Sequence, residues 1–323
     1  MPFIVRPLRV RIQPALAASL LVATACARVE PRSAARGTNA RLALPAELAP
    51  ARAWSGFENG DGSVAVRVAE LHQVVPDPEL AVQQVLVEKL GAALRSKEDA
   101  TVAGLPAVLA RIEPLDASKG WTDWQLLVFG PKDTLDVRAR FPRAQERWSA
   151  PLRAALLGLE WSPGATSDVF EGPSFRLRPP KGWTRTTSVQ GIYTFVAPRS
   201  GTTSAERFLD PSLTVVVESG AIDAEFLDTE LVLRMQARDN AQDWSVVEST
   251  RIRVAGLPAH MLLAHARVLP EDRELFFLGV LVSGDGLTWW LHGEARRELE
   301  GSALNEVRTA LLSFERLPAE TVR

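Results

Sequence analysis

The segment Val102-Ala-Gly-Leu-Pro-Ala107 occurs a second time, letter for letter, as Val254-Ala-Gly-Leu-Pro-Ala259. Two further segments, one upstream and one downstream of it, also have counterparts later in the chain. They are Ser63–Glu70, which parallels Ser212–Glu218, and Leu152–Glu160, which parallels Val307–Glu315. The three offsets are 152, 149 and 155 residues, so the copies differ only by short loop insertions. The order and spacing of these matches predict one structural unit that is present twice.

The duplication indicates how the 323 residues are divided. A turn-rich stretch over 162–167, without hydrophobic periodicity, separates the two copies. Two domains also suit the length of the chain. From the N-terminus, the predicted segments are a signal peptide over 1–25, a flexible tether over 26–40, a first domain over 41–161, a linker over 162–169, a second domain over 170–317 and a tail over 318–323.

Each copy combines helix patterns with strand patterns. In the first copy, Asp77 and Pro78 are typical of a helix start, and apolar residues then recur every four positions as far as Leu94. In the second copy, apolar residues line one side of predicted helices around 226–237 and 303–314. Short segments rich in β-branched residues follow one another closely, as in hairpins. These patterns predict an α+β fold, with a mainly antiparallel sheet covered by helices in each copy.

Three short motifs of the second copy resemble those of a known fold. They are Pro180-Lys-Gly-Trp183 after the opening strand, Gly256-Leu-Pro-Ala259 before a later strand, and Leu311-Leu-Ser-Phe314 at the end of the last helix. Together they resemble the PsbP-like fold, which bacterial DcrB-type envelope lipoproteins share. The resemblance covers the second copy and, without the Gly-Trp pair, most of the first. It implies two tandem α/β/α sandwiches that serve as binding or assembly-assisting modules, and it brings no catalytic residues.

The N-terminus has the features of a secretory signal. Three arginines precede an apolar run over Pro14–Ala25, whose 12 residues are too few to span a bilayer. Cys26, the only cysteine of the chain, follows this run directly. The junction resembles a bacterial lipobox, although Ala23 stands where a lipobox has Leu, Val or Ile. The resemblance implies lipidation of Cys26, and the alternatives are ordinary signal cleavage and an uncleaved anchor.

Lipidation of Cys26 would attach the protein to a membrane through its acyl chains. The residue after this cysteine is Ala27, not the Asp that retains lipoproteins in the inner membrane under the enteric sorting rule. We therefore expect export across the inner membrane and anchoring in the outer membrane, on its periplasmic side. A single cysteine also excludes an internal disulfide.

The charge balance limits the classes of partner. Lys and Arg number 37 and Asp and Glu 39, which gives a net charge of −2, and no long basic run occurs. These features argue against binding of nucleic acid. Removal of residues 1–25 would take away three arginines and no acidic residue, so the mature chain would carry −5. Because an acidic protein is repelled by anionic lipid, membrane contact should depend on the acyl chains.

The chain contains none of the common catalytic motifs, such as a Gly-x-Ser-x-Gly elbow, a phosphate-binding loop or His-Glu-x-x-His. The histidines also lack the spacing of a metal site. His260 and His265 are five residues apart and would point to opposite faces of a strand. We therefore predict no enzymatic activity, no cofactor and no metal. An unrecognised hydrolase assembled from ordinary acidic and basic residues is the remaining alternative.

One row of side chains changes character between the two copies. Thr134–Arg140 aligns with Gly286–His292, and strand alternation places every second residue of each segment on one face. In the first copy the outward residues are charged: Asp136, Arg138 and Arg140. At the same positions the second copy has Thr288, Trp290 and His292. Two interpretations follow, since such a row either packs beneath a helix or the other domain, or forms a surface for a partner or ligand.

The sequence as a whole predicts a non-catalytic bacterial envelope lipoprotein. Its tandem domains would bind or scaffold an envelope protein whose identity the sequence does not reveal. The alternative is a periplasmic carrier of a small ligand or lipid, which would require an apolar pocket between helix and sheet or between the domains.

Overall fold

The structure is a computed structural model that describes residues 32–71, 92–164, 168–189, 191–198, 210–237, 241–269 and 272–318. The predicted signal peptide, Cys26 and the first part of the predicted tether lie outside these residues. So do positions 77–90 of the helix predicted in the first copy, and all but one residue of the predicted tail. Within the described ranges, none of the helices is both long and apolar enough to cross a membrane.

The first half of the described chain, residues 32–164, consists of strands and one α-helix. The strands are β1 (Ser33–Ala34), β2 (Ala40–Leu42), β3 (Ala49–Pro50), β4 (Gly56–Glu58), β5 (Ala65–Leu71), β6 (Ala92–Val102), β7 (Leu105–Pro114), β8 (Trp121–Phe129), β9 (Thr134–Pro142) and β10 (Glu160–Trp161). The helix, α1, covers Ser149–Leu157.

The second half, residues 168–318, also consists of strands and α-helices, and it has one more helix than the first half. Its strands are β11 (Phe170–Glu171), β12 (Phe175–Leu177), β13 (Thr184–Val189), β14 (Ile192–Val196), β15 (Ser212–Ser219), β16 (Ala241–Val254), β17 (Leu257–Val268), β18 (Arg273–Gly284), β19 (Leu287–Arg296) and β20 (Glu315–Arg316). Helix α2 covers Leu227–Gln236 and helix α3 covers Glu300–Leu312. The predicted α+β class, with a mainly antiparallel sheet, is confirmed.

The repeated hexapeptide forms a hairpin turn in each half. It links β6 to β7 in the first half and β16 to β17 in the second. The two central residues of each turn have positive φ, 51° and 76° at Ala103 and Gly104, and 51° and 78° at Ala255 and Gly256. Positive φ at both positions defines a type I′ turn, whose twist matches that of the flanking strands. The two copies therefore have identical residues at a turn whose backbone requires positive φ at both central positions.

Strand order repeats between the halves in the same way. In the first half, neighbouring strands follow the order β6-β7-β8-β9-β5, and in the second half the order β16-β17-β18-β19-β15. Two further strands, β14 and β13, continue the second series beyond β15. The free edge of β13 then pairs with the end of β5, in the register Thr187 with Leu71 and Ser188 with Glu70. We call this pairing of residues 70–71 with 187–188 the seam.

The seam makes the sheet continuous across both halves, with 14 strands in all among the described residues. The prediction of two separate sandwiches did not include this connection. It arises because β4 is short and pairs with residues 65–67 of β5 only. The last residues of β5 thus keep an open edge, and an open edge pairs readily with another strand. The domain boundaries themselves stay a prediction.

Each half buries one face of its strands beneath an equivalent helix. Helix α1 contributes Leu152 and Leu156 to the first core, and α3 contributes Val307 and Leu311 to the second, all fully buried. These pairs are 155 residues apart, which is the offset of the matching segments in the sequence. Buried apolar surface of this kind is the main stabilising contribution in both halves.

Two local expectations were wrong. Residues 33–40, assigned to a flexible tether, include β1 and the start of β2, and Ala35 and Ala40 are buried. They are ordered because β2 pairs with both β1 and β10, which brings the segment against the first core. Leu94, assigned to a helix, lies instead in strand β6 and pairs with Ile112 of β7. At Leu94, the regular spacing of apolar residues did not by itself distinguish a helix from a strand.

Candidate binding surfaces

The predicted row of the second half lies on β19, and the structure buries most of it. Thr288 is 2% exposed and His292 8%, while Trp290 is partly buried. The hydroxyl of Thr288 donates a hydrogen bond to the carbonyl of Gly220 at 2.8 Å. The rings of Trp290 and His292 lie side by side, with centroids 4.5 Å apart. The structure therefore brings the three residues together, but not on an open surface.

Helix α2 packs against Trp290 of this row. Its inward residues Leu227, Leu231 and Met235 form a buried apolar cluster against which Trp290 packs. The guanidinium of Arg234, also on α2, lies 5.7 Å from the ring centre of Trp290. Of the two interpretations of the sequence, packing beneath a helix is the one that agrees with this geometry.

The equivalent strand of the first half, β9, carries the charged row. Leu135, Val137 and Ala139 are fully buried, as their alternation with charged residues predicted. Asp136, Arg138 and Arg140 project from the other face, where their side chains are partly exposed. The register across β8, β9 and β5 then shows which side chains lie beside them.

A buried carboxylate on β8 organises these arginines. Asp123 is 0% exposed and lies directly opposite Arg140 in the sheet. Nε and Nη2 of Arg140 donate to its two carboxylate oxygens at 2.8 and 2.9 Å. Nε of Arg138 lies 3.9 Å from the same carboxylate, beyond hydrogen-bond distance. The bidentate pair fixes the orientation of Arg140, because both partners are planar.

A second carboxylate, Asp136, lies next to this pair. It accepts a hydrogen bond from Nε2 of Gln125 at 2.8 Å. Burial raises the pKa of Asp136, and the nearby positive charge of Arg138 only partly opposes this rise. Asp136 therefore takes up a proton more readily than an exposed aspartate does.

Two tryptophans stack against the arginines. The guanidinium carbon of Arg140 lies 4.0 Å from the ring centre of Trp121, and that of Arg67, on β5, lies 5.1 Å from the ring centre of Trp54. Arg67 is exposed and stands directly opposite Arg138 in the β5–β9 pairing. We refer to Trp54, Arg67, Trp121, Arg138 and Arg140, with Asp123 and Asp136 beneath them, as the Arg–Trp face.

Sequence reasoning identified only the β9 members of the Arg–Trp face. Asp123 was missed because almost every residue of β8 is buried, so the strand shows no alternation of polar and apolar residues. Arg67 does alternate with the buried Val66 and Val68, and this signal could have revealed it. At the equivalent positions the second half has Val216 and Gly279, so its row is apolar where that of the first half is charged.

The seam contains a buried ion pair between the halves. Glu70 of β5 is 0% exposed, and its carboxylate pairs with the guanidinium of Arg185 on β13, whose side chain is 13% exposed. The same carboxylate accepts hydrogen bonds from Nε1 of Trp161 at 2.8 Å and from Nδ2 of Asn39 at 3.3 Å. A buried carboxylate is tolerated only with such partners, so Glu70 depends on the second half of the chain.

Further contacts close the seam. The carbonyl of Gly37 accepts from Nη1 of Arg185 at 2.8 Å and from the hydroxyl of Ser188 at 3.0 Å. Gly37 has φ of +85°, and a Cβ here would lie 2.6 Å from Oγ of Ser55. Ser55 and the buried Tyr193 share a hydrogen bond of 2.9 Å between their hydroxyl groups. Burial raises the pKa of Tyr193, which keeps the phenol neutral.

Two cavities in the described residues have linings that bear on binding. A cleft of about 460 Å³ beside the β18–β19 strands is lined by charged residues, namely Asp272, Arg273, Glu274, Arg296, Arg297 and Glu298. A second cavity of about 50 Å³ lies within the Arg–Trp face. No group of three or more His, Cys, Asp or Glu side chains placed to hold a metal ion occurs in the part of the chain that the structure describes.

A comparison with known proteins finds several solved structures that are similar in fold to parts of this chain or to most of it. No family model matches it. No curated protein matches it either. LpqN of Mycobacterium tuberculosis, involved in cell envelope biogenesis, is 11% identical with a TM-score of 0.37, and the match covers 48% of this chain and 88% of LpqN. The cyanobacterial PsbP of Synechocystis is 13% identical with a TM-score of 0.34, over 44% of this chain and 86% of that one.

A third solved structure matches both halves together. It is the type VI secretion immunity protein TplEi of Pseudomonas aeruginosa, 10% identical with a TM-score of 0.36, over 90% of this chain and 98% of that one. The structures similar to this chain thus include a PsbP-like protein and an envelope-biogenesis protein, whereas a DcrB-type tandem stays a prediction. All three TM-scores are below 0.5, so we base no conclusion about function on them.

Proposed function

We propose that the protein is a non-catalytic envelope lipoprotein whose two PsbP-like domains act together as one binding or scaffold module. The observation that carries this proposal is the seam. Because a buried ion pair and a continuous sheet join the halves, residues of both present a single surface to a partner. A preorganised surface loses less conformational entropy on binding than two independently moving domains would lose.

The membrane attachment belongs to the same proposal and rests on the sequence. Lipidation of Cys26 would hold the module at the outer membrane, on the periplasmic side. Replacement of Cys26 by Ala in cells that produce the full chain, followed by membrane fractionation, tests this part. We expect the variant to leave the membrane fraction, and unchanged membrane association would refute lipid anchoring.

In-cell crosslinking tests the binding role directly. A photo-crosslinking residue is placed at exposed positions of either half, Leu115 in the first and Phe226 or Val247 in the second, which are 71%, 55% and 53% exposed. We expect light-dependent capture of a defined envelope protein from at least one position. A scaffold or binding role is contradicted if no protein is captured above the dark control at any position.

The alternative of a small-ligand or lipid carrier receives less support. Ligand pockets of about 300–1,000 Å³ are usually lined by apolar residues. The cleft beside β18 and β19 has a volume in this range, about 460 Å³, but its lining is charged. A lipid chain would gain nothing by leaving an apolar environment for this cleft.

A further inference from the structure

The Arg–Trp face presents guanidinium groups that its own acidic residues do not fully engage. Arg140 gives two of its donors to Asp123, yet its side chain stays 42% exposed. Arg138 is 20% exposed and lies 3.9 Å from that carboxylate. Each guanidinium has five N–H donors in a fixed plane, so both retain donors that Asp123 does not engage. The buried Asp123 thus fixes Arg140 and leaves Arg138 without a hydrogen bond to it.

Arg67 has the least compensation of the three. Among the described residues, neither a hydrogen bond nor an ion pair joins it to a carboxylate, and its contact is the ring of Trp54. It faces Arg138 directly across the β5–β9 pair, and like charges in this position repel. Burial, together with the positive charges of Arg140 and Arg138, lowers the pKa of Arg67, and the carboxylates of Asp123 and Glu58 only partly oppose this shift. An anion bound between Arg67 and Arg138 would relieve this repulsion.

The space beside these arginines limits the size of that anion. A cavity of about 50 Å³ is lined by Trp54, Arg67, Asp136 and Arg138 and, from the second half, Val189. A buried water needs about 10–15 Å³ of such space, so the cavity admits a group the size of a carboxylate, whereas pockets for small-molecule ligands measure about 300–1,000 Å³.

We propose that the Arg–Trp face binds an acidic segment of a partner protein, with one carboxylate of the segment between Arg67 and Arg138. This inference rests on the proposed binding function and names the chemistry of the partner. Arginine beside tryptophan is the typical composition of the sites that dominate protein–protein binding energy. The face holds three arginines against two aspartates, one of which is fully buried, so it is a local basic area and its complement is negative.

Titration calorimetry with the full-length chain in detergent and the peptide octaglutamate tests the proposal. We compare the wild type with the double variant Arg67→Gln/Arg138→Gln and with Arg273→Gln/Arg297→Gln, which removes the same charge beside β18 and β19. We expect binding that weakens about tenfold or more in the first variant and less than about twofold in the second. Added salt should weaken wild-type binding, because exposed charges are screened.

Two results would overturn the proposal. One is the absence of octaglutamate binding, or equal binding by the wild type and both variants, in samples whose thermal unfolding shows that all are folded. The other is binding of inorganic phosphate or of phosphatidylglycerol vesicles, but not octaglutamate, through Arg67 and Arg138, which would assign the face to a phosphate group. The single variant Arg67→Gln, at an exposed position, gives the same comparison if the double variant does not fold.

The in-cell experiment separates failure of this inference from failure of the proposed function. If a partner is captured equally by the wild type and by Arg67→Gln/Arg138→Gln, the binding function stands and the Arg–Trp face is not its site. If the capture requires both arginines, the proposal is supported. If nothing is captured from any position, the proposed function itself is contradicted.

Discussion

Glu70 and Arg185 form a buried ion pair that joins the two halves of the chain across the seam. They are 115 residues apart in the sequence, and both lie at the ends of strands that pair over only two residues. So short a pairing contributes few backbone hydrogen bonds. The side chains around Glu70 therefore determine whether the sheet stays continuous.

The first prediction concerns this pair. Replacement of Arg185 by Met leaves the Glu70 carboxylate buried without its counter-charge, and we expect the free energy of unfolding to fall by about 3–5 kcal/mol. Urea denaturation followed by circular dichroism measures this change. The double variant Glu70→Leu/Arg185→Met should recover part of the loss, because no buried charge is left although Nε1 of Trp161 loses its acceptor.

The exposed ion pair of Arg153 and Glu98 provides the control. Its side chains are 41% and 43% exposed, and Arg153→Met should change the free energy of unfolding by no more than about 1 kcal/mol. Equal losses in Arg153→Met and Arg185→Met would show that the seam contributes no more than a surface contact.

A second prediction compares two glycines whose surroundings are equally open. An added Cβ would meet nothing within 4 Å at either Gly256 or Gly301. Gly256 has φ of +78° in a hairpin turn, whereas Gly301 lies in helix α3. Gly256→Ala should cost about 1–2 kcal/mol of unfolding free energy, and Gly301→Ala should be neutral or stabilise by up to about 1 kcal/mol. Thermal unfolding of both variants checks the difference. If Gly301→Ala and Gly256→Ala lowered the free energy of unfolding equally, the positive φ of Gly256 would not explain the effect.

A third prediction concerns Trp290. Because its ring packs beneath α2, Trp290→Ala should lower the free energy of unfolding by roughly 3 kcal/mol. Leu233→Ala on the same helix is the control, since Leu233 is 56% exposed and should change stability by no more than about 0.5 kcal/mol. Urea denaturation of both variants makes the comparison. A negligible effect of Trp290→Ala would show that its ring contributes little to packing, and the row on β19 would again be a candidate binding surface.

A fourth prediction concerns pH. His260 on β17 is 4% exposed, with Nε2 2.8 Å from Oγ of Ser249. Burial, and to a smaller extent the charge of Arg251, lowers its pKa from the ordinary value of 6.5, although Asp228 partly opposes this shift. Below pH 6.5 the unfolded chain therefore binds a proton that the folded chain does not. The stability that neutral His260 contributes is fully present above pH 6.5. It is lost as the pH falls through the pKa that His260 has in the folded state.

Denaturation at a series of pH values measures this dependence. The free energy of unfolding of the wild type should decrease from pH 7.5 to 5, and His260→Gln should remove part of that slope because its side chain does not titrate. An unchanged slope in His260→Gln would assign the pH dependence to other groups.

Local features of the fold were predictable from the sequence. The repeated Val-Ala-Gly-Leu-Pro-Ala segments indicated corresponding positions in the two halves, and the alternation over Thr134–Arg140 gave the inward residues of β9. The spacing of Val307 and Leu311 likewise indicated the buried side of α3. Each of these signals depends on residues that are close in the sequence, where backbone geometry produces a regular pattern.

Contacts between distant segments were not predictable in this way. No local pattern connects Glu70 to Arg185, or Arg67 and Asp123 to the arginines of β9, since each relation depends on strand register. The segment 33–40 has little apolar bulk and so indicated a tether, yet Ala35 and Ala40 are buried in the first core. A single sequence carries no signal for these tertiary effects.

Hydrogen exchange with mass spectrometry tests the continuity of the sheet most directly. The measured quantity is the protection of peptides that cover β5 and β13 in the full-length chain. We predict that both are protected as strongly as peptides of the central strands β9 and β19, and that both lose protection together in Arg185→Met. Rapid exchange of β13 and of the end of β5 in the wild type would contradict a joined sheet and, with it, the single binding surface.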